Sequence, residues 1–171
     1  MKMKRELMNA LKKAVRFGDF TLSSGRKSNY YVDKYIFETD PECLRILGEE
    51  IAKMIPPGTQ RLAGIELGSV PLAAVASIQS GLPYIIVRKE KKGYGTRKKV
   101  EGEFAAGDMV VVIEDVATTG AEAVRAVETL RELGAIIDTV IVVVDREEGA
   151  EENLREMGVS FVPMVKAKEL L

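Results

Sequence analysis

The chain has 171 residues, of which 46% are hydrophobic and 30% charged, with one cysteine, no histidine and a formal net charge of -1. That length suits a single domain with a sizeable core, and the balanced charge offers no global field for nucleic acid or an anionic membrane. A lone Cys43 builds no internal disulfide framework, and the missing imidazoles exclude His-based triads and His-ligated zinc.

Residues 3–16 read as an amphipathic helix with Leu7, Met8, Leu11 and Val15 on one face and Gly18 as its stop. Charges are scattered through this N-terminus, and no apolar run approaches the roughly 20 residues of a membrane helix, so a cytoplasmic protein is expected. FTLSSGRKSNYYVDKYIFE (20–38) is strand-like and broken by Ser23-Ser24-Gly25, which suggests short antiparallel strands forming a cover. A second helix over 41–54 is capped by Asp40, with Pro41 in its first turn.

From residue 61 strands and helices alternate. RLAGIEL is a strand, GSV a tight turn, and PLAAVASIQSG a helix with proline at its start and Gly81 at its end. PYIIVRKE is a strand. After a charged loop, Met109–Asp115 is a strand and Ala121–Leu133 a helix closed by Gly134. Thr139–Asp145 is a strand, Ala150–Met157 a helix and VSFVPMV a last strand. Unbroken runs such as VIVVV imply strands buried on both faces, hence an α/β fold with a central parallel sheet flanked by helices.

The stretch VVVIEDVATTGAEAV carries the chemistry. In open parallel sheets, ligands bind beyond the carboxyl ends of strands. Glu114 and Asp115 sit at such an end. The small-residue turn ATTG then opens a helix, whose free N–H groups and dipole form an anion cradle. Carboxylates repel a phosphate but suit hydroxyl groups on the same ligand, or a cation. Acids beside a phosphate cradle describe a phosphorylated sugar. No GxxxxGK[ST] loop occurs, and no GxGxxG follows a strand.

The segment 88–103 holds seven basic side chains (Arg88, Lys89, Lys91, Lys92, Arg97, Lys98, Lys99) and three acids, a local charge of +4. Gly93, Gly95 and Gly102 permit the backbone changes a lid needs, and a cationic lid neutralises a departing polyanion. A solvated surface loop is the plainer reading. Its single aromatic, Tyr94, argues against a stacking platform for nucleic acid.

The apolar strand, two acids and Val-x-Thr-Thr-Gly resemble the phosphoribosyl-pyrophosphate (PRPP) motif of type I phosphoribosyltransferases. FTLSSGRKSNYYVD resembles the hood of orotate phosphoribosyltransferases, and LAGIELGSVPLA their pyrophosphate-binding turn. RKEKKGYGTRKKVEGE resembles their catalytic loop, and VVVDREEGA the segment whose arginine meets the orotate carboxylate. The resemblance spans residues 20–149. It implies one domain over 1–171, with a small N-terminal hood mainly within 1–40, a core over 41–171 and a mobile loop at 88–103.

The implied activity is transfer of the 5-phosphoribosyl group from PRPP to orotate, giving orotidine 5'-phosphate and pyrophosphate on the route to UMP. By resemblance, Glu114 and Asp115 grip the ribose hydroxyls, while Val116, Ala117, Thr118, Thr119, Gly120, Ala121 and Glu122 wrap the 5-phosphate. Arg88, Lys89, Lys92 and Tyr94 fall on the loop that meets PRPP, and Lys92 with the acid pair forms the catalytic group. Thr118 and Arg146 would bind orotate. Magnesium is expected on the substrate rather than in a protein cage, and a homodimer is implied in which loop 88–103 reaches the partner's site. The family loop usually has Lys-Asp-His-Gly where this chain has Lys92-Gly93-Tyr94-Gly95. Other readings remain open on the residues alone. Arg146 pairs with Glu147 or Glu148, Tyr30 and Tyr31 pack the hood rather than flank a pyrimidine, and Gly68-Ser69 is only a turn. A related enzyme acting on another base, or a PRPP- or nucleotide-binding regulator without catalysis, fits the same motif.

Overall fold

The computed structural model describes residues 2–22, 25–89 and 98–171. Lys92 and Tyr94, like the rest of 90–97, lie outside the described residues, as does Ser23.

The central sheet forms as its β-branched runs demand. Its strands are β3 (Arg61–Ile65), β4 (Tyr84–Val87), β5 (Val100–Glu101), β6 (Val110–Ala117), β7 (Thr139–Asp145) and β8 (Ser160–Lys166). They lie in the order β5-β4-β3-β6-β7-β8. All neighbouring pairs are parallel except β4 with β5. Strand β7 is buried at every position, and β6 at all but Val116. The two faces still differ. Val111, Ile113, Ile141 and Val143 join one apolar cluster, whereas Val110, Val112 and Val140 join another. The first cluster takes helices α3 (Pro41–Met54) and α4 (Ser69–Ser80), and the second takes α5 (Ala121–Glu132) and α6 (Ala150–Glu156). Two-sided burial explains why the strands read as continuous rather than alternating apolar runs.

The connections from β3 and β6 diverge. β3 passes through α4 to β4 on one side, and β6 passes through α5 to β7 on the other. The crevice outside the carboxyl ends of β3 and β6 is therefore a topological switch point, where open α/β sheets place ligands.

The hood is a two-stranded antiparallel ribbon of β1 (Val15–Thr21) and β2 (Lys27–Val32), with a register shift between Phe17 and Phe20. Helix α1 spans Lys2–Lys12 rather than reaching 16. Lys13 and Ala14 close the tighter turns to Ala10 and Leu11, and Val15 starts β1 by pairing with Val32. Gly18 accordingly lies within a strand and stops no helix. The strand-like reading of 20–38 holds only to Val32, because Tyr35–Glu38 forms a one-turn helix, α2, that seats fully buried Phe37. Asp40 caps α3 as expected, its Oδ1 accepting the Cys43 N–H at 2.8 Å. Helix α4 starts at Ser69, two residues before the proline. The two-residue edge strand β5 carried no sequence signal of its own.

Candidate active site

The carboxyl ends of β3 and β6, the hood and the end of β7 enclose a cavity of about 360 Å³. Glu114, Asp115, Val116, Thr118, Glu122 and Lys89 line it, and Arg146 faces them from β7. Ser69 Oγ donates to Glu114 Oε1 at 3.0 Å and accepts the Asp115 N–H at 3.1 Å. Asp115 is tethered at both oxygens. Oδ1 accepts the Val116 N–H at 2.6 Å, and Oδ2 accepts the Lys34 ammonium at 2.7 Å.

One more acid adjoins this pair. Glu38, the last residue of α2, is buried, and neither of its oxygens meets a hydrogen-bond donor. It can bond to Asp115 only through a shared proton. Burial first, then the Asp115 charge, push the Glu38 carboxyl up to about 8, and the same causes in the same order push Glu114 up to about 8. Burial by itself lowers the Lys34 ammonium, but the Asp115 carboxylate reverses this and leaves it above its ordinary value. The cluster tightens around Gly68. A methyl built there would lie 2.7 Å from Glu38 Oε1 and 2.8 Å from Lys34 Nζ, and would collide with Asp115 Oδ2.

Downstream, Val116 to Glu122 line a second recess of about 220 Å³ that opens onto the α5 N-terminus. Gly120 caps α5 in the left-handed region at φ 74°, with Ala150 of α6 only 3.1 Å from where a Cβ would stand. The Asn153 amide donates to the Thr119 carbonyl at 2.8 Å and pins the turn to α6. The first N–H groups of a helix have no intrahelical acceptor, so this recess is an anion site by construction.

Arg146 is the cationic counterpart. Only 3% of its side chain is exposed. Nε donates to Glu148 Oε1 at 2.9 Å, Nη2 donates to Ser28 Oγ at 3.1 Å, and the guanidinium lies 4.1 Å from the Tyr30 ring centroid. Arg26 holds the second Glu148 oxygen at 3.2 Å. The Glu148 pair that the sequence offered as a surface contact is real, but it is buried on the arginine side and faces the cavity. Tyr30 packs on Arg146, while Tyr31 lines the cavity against Phe20 at 5.6 Å. Ser69 acts here through its hydroxyl, holding both members of the acid pair.

Arg88 begins the basic segment. Its N–H donates to the Lys99 carbonyl at 2.8 Å, and its guanidinium lies 3.7 Å from Glu66. Lys89 reaches the cavity wall. Lys34, Glu38 and Glu66 were not singled out from the sequence. Lys34 and Asp115 are 81 residues apart, and no local pattern joins them.

Among the described residues, no three His, Cys, Asp or Glu side chains form a group that could hold a metal ion. The carboxylates present fit magnesium as a companion of substrate phosphates and hydroxyls, because both Asp115 oxygens already accept protein donors.

No family model matches the chain. It is 59% identical over 171 residues to an orotate phosphoribosyltransferase of Methanocella arvoryzae, covering 99% of this chain and 98% of the relative. The fold superposes on the crystal structure of orotate phosphoribosyltransferase from Aeropyrum pernix with a TM-score of 0.83 and 35% identity, over 99% of this chain and 96% of that one. The Mycobacterium tuberculosis orotate phosphoribosyltransferase, crystallised in complex with PRPP, superposes with a TM-score of 0.80 at 28% identity, covering 98% of each chain. Near-complete coverage at this identity, joined to the acid pair, the anion turn and the opposed arginine in one cavity, means that the chain belongs to the orotate phosphoribosyltransferase family.

Proposed function

We infer that this chain transfers the 5-phosphoribosyl group of PRPP to N1 of orotate and releases pyrophosphate, within pyrimidine nucleotide synthesis. One observation carries the reading: a tethered acid pair and a buried arginine face one cavity, whose wall at Glu114, Val116, Thr118 and Glu122 is shared with the recess of the helix-capped anion turn.

The turn from Ala117 to Ala121 takes the 5-phosphate on its N–H groups, and Thr119 and Glu122 flank it. Glu114 and Asp115 accept the ribose 2- and 3-hydroxyls and orient C1 toward the hood. Arg146 offers its guanidinium to the orotate carboxylate, and Thr118 bonds the base. As the C1–O bond breaks, the sugar becomes oxocarbenium-like and the acid pair stabilises its positive character. Negative charge grows on pyrophosphate, and Arg88, Lys89 and Lys92 offset it, with Tyr94 contributing a hydrogen-bond donor. When bound, magnesium supplies further charge neutralisation on the pyrophosphate. Orotate N1 carries a relatively acidic proton, so the reaction tolerates a chain without histidine. In a homodimer, the loop 88–103 would extend to the partner's site. Among the described residues no helix is long and apolar enough to cross a membrane, in keeping with a cytoplasmic enzyme.

The test is loss of orotate absorbance on mixing purified protein with PRPP and magnesium, with pyrophosphate release measured in parallel. Equal consumption of orotate and appearance of pyrophosphate is expected. Calorimetric binding of PRPP without turnover would make the chain a regulator instead, and turnover with another base alone would reassign its substrate.

A further inference from the structure

Asp115 grips a ribose productively only if its carboxylate is held pointing into the cavity. Its surroundings oppose this. It is 3% exposed, adjoins Glu114 in sequence and has the buried Glu38 carboxyl beside it. Three acid side chains crowd together there, and a buried carboxylate needs a donor to hold its orientation. Lys34 is the cation the cluster holds. Its side chain is 24% exposed, it lines the cavity, and Nζ stands 2.7 Å from Asp115 Oδ2.

The local fold explains how it arrives. Lys34 is the N-cap of α2 and Glu38 its last residue, so they stand four positions apart, on one face of a helical turn. The Glu38 N–H closes that turn on the Lys34 carbonyl at 3.0 Å. Fully buried Phe37 anchors the turn to the core, aiming both head groups at the end of β6. Gly68 leaves the space in which they meet.

We propose that Lys34 is a positioning residue of this active site: presented by the one-turn helix α2, its ammonium fixes the Asp115 carboxylate in the ribose-gripping orientation. The proposal rests on the reading of Asp115 as a ribose ligand. It distinguishes two tethers on Asp115. The Val116 N–H is backbone and survives any substitution, whereas the Lys34 tether is removable. Losing it frees the carboxylate to turn toward the backbone, and the penalty falls on PRPP rather than orotate.

The experiment is a kinetic double-mutant cycle on the intact protein, using Lys34→Met, Asp115→Asn and the pair, with Lys34→Arg as the charge-conserving variant. Lys34→Met is expected to raise KM for PRPP about tenfold or more, the scale of one lost ionic tether. KM for orotate should stay within about twofold, and Lys34→Arg should recover most of the loss. In the Asp115→Asn background, adding Lys34→Met should change kcat/KM by less than about threefold, because its target is already gone. Three results would overturn the proposal. One is a Lys34→Met enzyme with a lowered Tm but unchanged PRPP kinetics. Another is losses that multiply independently in the double mutant. The third is equal shifts in both substrates. If Lys34→Met does not fold, Lys34→Gln takes its place in the same comparison: a selective rise in KM for PRPP supports the proposal, and unchanged kinetics or parallel shifts in both substrates overturn it. If the unmodified protein consumes no orotate, the proposed reaction fails rather than this inference. Calorimetric affinity for PRPP, compared between the unmodified protein and Lys34→Met, then tests Lys34 directly, and equal affinities reject it.

Discussion

Strands β6 and β7 are neighbours, and a charged residue stands near the carboxyl end of each: Asp115 within β6 and Arg146 just past β7. The means of holding that charge differ. Asp115 is held by Lys34, from an element 81 residues earlier in the chain. Arg146 is held by Glu148, two residues later. The first arrangement couples the end of β6 to α2, so the Asp115 tether forms only when α2 has docked. The second is almost self-contained, though Ser28 and Tyr30 bring the hood to it. The N-terminal segment thus contributes to both: an ammonium at Asp115, and a ring and a hydroxyl at Arg146.

Substitutions at the two ends break this contrast in order of effect. Asp115→Asn should lower kcat/KM for PRPP by about 10²-fold, the scale of losing one preorganised electrostatic partner, while the fold survives. Steady-state kinetics with circular dichroism checks this, and unchanged constants would remove Asp115 from the site. Arg146→Lys should raise KM for orotate about tenfold and leave KM for PRPP within threefold, because an ammonium cannot reproduce a two-pronged contact. Comparable changes in both constants would show that the two ends are not separable. Glu148→Gln keeps an oxygen for Arg146 Nε but removes the competing charge, so KM for orotate should move by only about threefold. A tenfold change would mean that the carboxylate does more than orient the arginine.

The smallest effect is on pH-dependent stability. The folded Glu38 carboxyl is raised from 4.5 to about 8, by burial first and by Asp115 next, against the pull of Lys34. Between those values the folded chain keeps a proton that the unfolded chain has lost. The stability from this group is therefore complete below about pH 4.5 and is lost as pH climbs toward 8. Glu38→Gln carries no titrating proton, so Tm should decline less steeply between pH 5 and 8 than in the unmodified protein. The difference should be about 2–4 °C if roughly 1 kcal/mol is involved. Part of the decline persists, because Glu114 is raised in the same direction. Identical Tm profiles would place Glu38 outside this linkage.

The same contrast shows what a sequence reader can see. The strands β6 and β7 were legible because β-branched runs buried on both faces leave an unbroken signature, and β3 because an apolar run follows Arg61. Glu114, Asp115 and the Thr118–Gly120 turn were legible because a strand end, two acids and a helix start follow one another along the chain. The Arg146–Glu148 pair was open to view for the same reason: its partners are two residues apart. Lys34 and Glu38 were hidden, and Ser69 was read only for its backbone, because their side-chain roles depend on contacts across 81, 77 and 45 residues. A helix of one turn is also too short to show periodicity. The end of α1 was misplaced because Val15 suits the apolar face of a helix, yet it gains a cross-strand partner in Val32.

The antiparallel pairing of β4 with β5 ties Val87 to Val100, and the Arg88 N–H to the Lys99 carbonyl extends that tie by one rung. The basic segment therefore departs from and returns to the sheet at a single knot. Residues can be added, lost or exchanged beyond the knot without pulling on β3 or β6. Exchanges within the basic segment should therefore leave the Lys34–Asp115 contact undisturbed.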